Sequence, residues 1–180
     1  MRCPIRYRGD TEEPEHYPTW LAQLRERVPA GGAVLDLGCG CGVPLARDLA
    51  ARGYEVTGVD LSAVQVERAR RLVPAARFLH ADATQVRFPP SSLDAVVSLY
   101  ALIHLPLNEQ PPLLERIGRW LHPGGWFLAT TGHRAWTGTE DGLAGRRGAD
   151  VVEPCRCGDL PRLDRTGRPG GRRPGGRCRG

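Results

Sequence analysis

Val34-Leu35-Asp36-Leu37-Gly38-Cys39-Gly40-Cys41-Gly42 decides how the rest of the chain is read. An apolar run with one acid inside it breaks into three alternating glycines. The helix-like pattern Leu45-Ala46-Arg47-Asp48-Leu49-Ala50-Ala51-Arg52 follows. The order predicts a buried parallel strand, a tight loop and a crossover helix. Glycine is required where backbone turns with positive φ or comes close to a ligand, because a Cβ would intrude.

The chain has 180 residues, enough for about one domain with a real core. It contains no apolar run near the ~20 residues that span a bilayer and does not open on a basic-then-hydrophobic leader, so the expected compartment is the cytoplasm. All 25 basic residues are arginine, which reflects GC-rich coding rather than function. The net charge of +5 is unevenly placed. Residues 142–180 carry 10 Arg against 4 acids, leaving 15 Arg against 16 acids in residues 1–141. The near-neutral body gives no electrostatic basis for nucleic-acid binding; any such contact is non-specific and belongs to the basic tail.

Outward from the glycine loop, alternating elements are predicted. Residues 1–18 are irregular. A helix over Thr19–Val28 places Trp20, Leu21, Leu24 and Val28 on one side. The first strand begins near Ala33. After the crossover helix, closed by Gly53, come a strand over Glu55–Asp60 and a helix over Ala63–Leu72. That helix is capped by Ser62, with Val64, Ala69 and Leu72 among its apolar positions. Short strands over Arg77–His80 and Leu93–Tyr100 follow. Pro111-Pro112 opens a helix with Leu113, Leu114, Ile117 and Leu121 in the core, and a turn at His122–Gly125 leads to a strand over Trp126–Thr131. The fold class is α/β: a doubly wound, Rossmann-like, mostly parallel sheet with helices on both faces. Ligands on such sheets bind beyond the carboxyl ends of the strands.

The residues just past those ends carry the chemistry. A lone glycine loop fits several nucleotides. The dinucleotide pattern needs a third glycine three positions past Gly40, where Val43 stands, which counts against a nicotinamide-dependent oxidoreductase. Asp60 ends the second strand, where a carboxylate can accept from both hydroxyls of a ribose. Asp82 follows the third strand, placed to accept from an exocyclic amine.

Five motifs in order resemble the class I S-adenosylmethionine-dependent methyltransferases, closest to the small-molecule branch: Val34–Gly42, Gly58-Val59-Asp60-Leu61-Ser62, Ala81-Asp82-Ala83, Leu93-Asp94-Ala95-Val96-Val97 and Leu121-His122-Pro123-Gly124-Gly125. The resemblance implies S-adenosyl-L-methionine as cofactor and a small molecule as methyl acceptor. It implies that Asp36 and the loop Gly38, Cys39, Gly40 and Gly42 hold the methionine and ribose portions. Asp60 would take the ribose hydroxyls, and Asp82 with the Ala83 backbone the adenine. Leu61 and Ser98 complete the expected cofactor-binding set. Tyr100, His104 and His133 are the expected catalytic or acceptor-side residues. The implied reaction is in-line displacement at the sulfonium methyl, helped mainly by orientation and desolvation, with no metal. The methyltransferase domain would span residues 19–141.

Each candidate has a plainer reading beside this one. Asp36 can be a buried acid bonded to backbone amides, Asp60 and Asp82 loop caps, and Tyr100, His104 and His133 packing or surface residues. Cys39 and Cys41 read as small loop residues, and Cys155, Cys157 and Cys178 lack a fourth ligand for zinc. A catalytically inactive cofactor-binding remnant, acting as an interaction module, is the alternative function.

From Gly142 the pattern collapses into a Gly/Pro/Arg-rich segment that reads as a disordered tail. Back-translated with permitted codons and read one base later, residues 142–168 give a loop, a tryptophan-bearing segment and a Ser-His-Ala-Asp helix start. The tail therefore reads as out of frame, with the C-terminal strands of the sheet lacking, its fifth strand under-covered and turnover weak or absent. Sequencing the gene through the codons for residues 135–150 is expected to reveal that second open frame; DNA without it refutes the reading.

Overall fold

The computed structural model describes residues 17–132, 149–151 and 155–156. In chain order the elements are α1 (Tyr17–Arg27), β1 (Ala33–Leu37), α2 (Leu45–Ala50), β2 (Glu55–Asp60), α3 (Ala63–Leu72), β3 (Arg77–His80) and β4 (Leu93–Ser98). A single 3-10 turn over Leu102–His104 then leads to α4 (Gln110–Trp120) and β5 (Leu121–Gly132). The five strands lie parallel in the order β3-β2-β1-β4-β5. The chain winds outward from β1 to β3, crosses back to β4 and winds outward again, so the switch point falls between β1 and β4.

Burial on both faces explains why the central strands are continuous apolar runs rather than alternating ones. Val34, Ala95, Val97 and Leu128 face a core built with α1, α2 and α3. Leu35, Leu37, Val96, Phe127 and Ala129 face the opposite core, built with α4 and the 3-10 turn. Trp20, Leu21, Leu24 and Val28 are all buried in the first of these, as the helical spacing predicts.

Several boundaries differ from the expectation, each for a local reason. Helix α1 starts at Tyr17, ahead of Pro18, because proline is tolerated in a first turn. Tyr17 is itself buried, and its hydroxyl donates to Asp48 Oδ2 at 3.1 Å, tying α1 to α2. Ser62 caps α3 as expected, its hydroxyl oxygen accepting from Gln65 N. Of the expected core positions on α3 only Ala69 is buried. Val64 and Leu72 are exposed, and Val66 and Val73 take their place with Ala69 on the face toward the sheet. Strand β4 ends at Ser98, because Tyr100 turns the backbone to φ +62°. The expected turn at His122–Gly125 lies inside β5: the register slips between the pairs Leu93↔Leu121 and Ala95↔Trp126, and Gly124 sits at φ +86°.

Part of the segment assigned to the tail pairs with the sheet. Residues Ala149–Val151 form β6, antiparallel to Thr130–Gly132, and Cys155–Arg156 form β7, antiparallel to Trp126–Phe127. The outer edge of β5 therefore carries short antiparallel partners where the C-terminal strands were expected to be lacking. The remaining residues of 1–18 and 142–180 lie outside the described residues.

At the amino end of the sheet, Asp94 Oδ2 accepts from Ala33 N at 2.8 Å and joins the start of β1 to β4. Asp94→Ala is expected to lower stability by about 1–2 kcal/mol, read as a lower urea midpoint at unchanged slope. An unchanged midpoint would show that the bond is matched by water in the unfolded chain.

Candidate functional site

The parallel registers bring the carboxyl ends of β1, β2, β3 and β4 to one edge of the sheet, where Leu37, Asp60, His80 and Ser98 end their strands. The loop after β1 is held there by backbone. The amides of Gly38 and Cys39 both donate to the Val59 carbonyl, at 2.8 and 3.0 Å. Gly40 N donates to Asp60 Oδ2 at 2.9 Å, and Ser62 N donates to Asp60 Oδ1 at 2.8 Å. One carboxylate thus joins the glycine loop to the turn that opens α3. A carboxylate offers about four lone-pair sites, so both oxygens keep capacity for a further donor.

The three glycines differ in what they do. All have positive φ, +77° at Gly38, +53° at Gly40 and +77° at Gly42. A Cβ on Gly38 would lie 2.2 Å from Ala101 Cβ, so this glycine lets the loops after β1 and β4 touch at the switch point. A Cβ on Gly42 would meet the Phe78 ring at 2.9 Å. Gly40 faces open space, with nothing within 4 Å. Of the three, it alone leaves the space beside its Cα open.

Asp36 lies beneath the loop, 4% exposed. Burial, and secondarily the charge of Asp60, push its carboxyl up to about 7. The same burial and the same two carboxylates keep the Cys39 thiol protonated. A site with one buried and one half-buried carboxylate favours a cationic ligand and opposes an anionic one.

On the far side of Asp60, Leu61 is 72% exposed, an apolar side chain presented to open space. Asp82 closes a turn by accepting on Oδ1 from Thr84 N at 2.7 Å and Thr84 Oγ1 at 2.8 Å. Ala83, half-buried, follows it. Asp36, Gly40, Asp60, Leu61, Asp82 and Ala83 therefore lie along one edge of the sheet.

Two expected cofactor contacts are placed differently. Ser98 is fully buried, and its hydroxyl donates to the Leu37 carbonyl at 3.2 Å, so it clamps the ends of β1 and β4. Cys39 is 8% exposed and packs over Gly58, where a Cβ would come within 2.8 Å of its Sγ. Neither side chain is turned toward open space, because both fill positions that the sheet needs.

Tyr100 stands at the end of the β4 loop in a left-handed conformation, uncommon for a bulky residue. Its amide donates to the buried hydroxyl of Thr130 on β5, and its ring lies 6.3 Å from that of Trp20. Strain of this kind collects at functional sites. The loop that follows is held by Gln110, whose side-chain amide donates to the carbonyls of Leu102 and Leu105 at 3.2 and 3.0 Å. His104 is exposed in the 3-10 turn. His133 lies outside the described residues. Among the described residues, no group of three His, Cys, Asp or Glu is placed to hold a metal, and no helix is long and apolar enough to cross a membrane.

Tyr17, Thr130, Gln110 and His80 went unnoticed in the sequence. His80 Nε2 lies 3.0 Å from the Leu61 carbonyl, a contact between adjacent strand ends that no spacing announces.

Residues 34–125, about half of the chain, match the family model described as a methyltransferase domain. An uncharacterised methyltransferase of Mycobacterium tuberculosis is 41% identical over 119 residues, covering 64% of this chain and 57% of that protein. The 27-O-demethylrifamycin SV methyltransferase of Amycolatopsis mediterranei is 37% identical over 102 residues, 53% of this chain and 37% of that protein. Among solved structures, an S-adenosylmethionine-dependent methyltransferase from Mesorhizobium loti superposes with a TM-score of 0.58 at 31% identity, covering 66% of this chain and 53% of that one. The chain thus spans between about a third and three fifths of the length of these curated relatives.

The contrast between two glycines can be measured. Gly38→Ala meets Ala101 as well as an unfavourable φ and is expected to cost about 3 kcal/mol. Gly40→Ala meets only the φ penalty and should cost about 1 kcal/mol by chemical denaturation. Equal losses would mean that the loops do not approach as described.

Proposed function

Since the chain belongs to the class I S-adenosylmethionine-dependent methyltransferases, we propose that it binds S-adenosyl-L-methionine at the carboxyl edge of the sheet and methylates a small-molecule acceptor. The observation that carries the reading is the pairing of buried Asp36 with Asp60 around the open face of Gly40. Two carboxylates there suit a sulfonium and an ammonium, and oppose the pyrophosphate of a dinucleotide. In this reading Asp60 accepts from the ribose hydroxyls on the lone pairs left by Gly40 N and Ser62 N. Leu61 covers a face of the adenine, and Asp82 with the Ala83 backbone meets its edge. When bound, the cofactor supplies a methyl already activated on positive sulfur.

What the chain adds is orientation and exclusion of water. The loops after β1 and β4 meet at Gly38 and Ala101, closing the crevice on that side. Tyr100, held by Thr130 and packed near Trp20, is the side chain best placed to line the acceptor side, with His104 beyond it. A base is needed only for an acceptor that must lose a proton. The relative named for a demethylrifamycin supports an acceptor of the small-molecule class.

Calorimetry with S-adenosylmethionine, S-adenosylhomocysteine and NAD, followed by transfer of labelled methyl to a metabolite panel, tests the proposal. Binding of the first two with turnover is expected. Binding without turnover on any acceptor would favour the inactive remnant, and binding of NAD alone would overturn the reading.

The raised Asp36 carboxyl adds a pH signature. A cation favours the ionised form, so affinity for S-adenosylmethionine should rise as pH approaches about 7, by up to about tenfold per unit, and then level off. The stability of the ligand-free chain runs the other way. The folded state holds this proton more tightly than the unfolded one, so the contribution is full below the ordinary value of 3.8 and is lost as pH rises through about 7. In Asp36→Asn both dependences should flatten and the cation should bind more weakly at neutral pH. A variant that keeps the wild-type pH profile would move the titration to another group.

A further inference from the structure

The turn Asp60-Leu61-Ser62 carries two parts of the seat just described, a carboxylate and an exposed leucine. Leu61 is 72% exposed, so bonds to its backbone, rather than packing of its side chain, set where it points. The carbonyl of Asp60 accepts from Ala81 N at 3.0 Å, and its carboxylate accepts from Gly40 N and Ser62 N. Those bonds hold the Asp60 carbonyl and the Ser62 amide on either side of Leu61 and do not engage the Leu61 carbonyl.

His80 holds it. The last residue of β3 pairs in register with Asp60 on β2. Its ring reaches over the end of β2, and Nε2 lies 3.0 Å from the Leu61 carbonyl. A carbonyl can only accept, so Nε2 must carry the hydrogen. His80 is exposed and belongs to no core cluster, so packing does not account for its position.

We propose that His80 is a positioning residue for the adenosine end of the cofactor seat: by donating from Nε2 to the Leu61 carbonyl, it keeps the Leu61 side chain presented beside Asp82 and Ala83. The inference rests on the cofactor reading above and goes beyond it in assigning the residue that shapes the adenine wall. His80 acts through Leu61 and does not touch the ligand.

The test is a mutant cycle on the full chain, with S-adenosylhomocysteine as the calorimetric probe and melting temperature measured alongside. His80→Ala should weaken the probe about fivefold, the worth of one hydrogen bond, with little change in melting temperature because the side chain is exposed. His80→Gln, whose amide can donate to the same carbonyl, should recover most of the loss. Leu61→Ala should weaken the probe, and adding His80→Ala to it should bring no further loss, because the two act as one unit. Fully additive losses, no advantage of Gln over Ala, or unchanged affinity in His80→Ala would each overturn the assignment while leaving the cofactor seat intact. Failure of the unaltered chain to bind the probe would instead overturn the seat itself, and this inference with it.

Discussion

The carboxylate of Asp60 accepts one backbone amide on each oxygen, from Gly40 and from Ser62, and the geometry of the sheet's carboxyl edge depends on it. Without that bridge, among the described residues, only the Gly38 and Cys39 amides on the Val59 carbonyl would tie the glycine loop to β2. The turn into α3 would also lose its register with the Ser62 cap. Because both donors are backbone, the arrangement exists before any ligand arrives, so little ordering remains for binding to impose.

The constraint reaches across the switch point. The glycine loop can lie where Asp60 holds it only because Gly38 lets Ala101 come close, and Ala101 follows a tyrosine twisted out of strand conformation. Thr130 on β5 secures that tyrosine from one side and Trp20 on α1 packs beside it. The loops after β1 and β4 are in this way coupled through four strands. A change in β5 can reach the crevice by way of Tyr100, and β6 and β7, short as they are, pair along that same strand.

The electrostatic design follows from the same packing. Asp36 sits in a run of residues buried on both faces, and the resulting desolvation raises its carboxyl. Asp60 is half-buried and already bonded to two amides. Two similar side chains are thereby given different environments, one desolvated within the sheet and one bonded to the amides of the loop and of the turn into α3.

Much of this was legible in the residues themselves. Apolar runs buried on both faces, glycines at alternating positions, a serine cap and acids at successive strand ends are local signals with local causes, and they determined the parallel sheet and the loop; the cofactor class followed from the family resemblance that those motifs carry. What the tertiary structure decided are contacts between segments far apart in the chain. Ser98 reads as a ligand contact but lies against Leu37, and Cys39 lies over Gly58, because interior space had to be filled from whichever strand was nearest. Val64 and Leu72 are apolar yet exposed, because the face α3 turns to the sheet is set by Val66, Ala69 and Val73. Tyr100 leaves its strand early and His80 reaches Leu61 because neighbouring strand ends meet in space, and sequence spacing carries no record of that proximity.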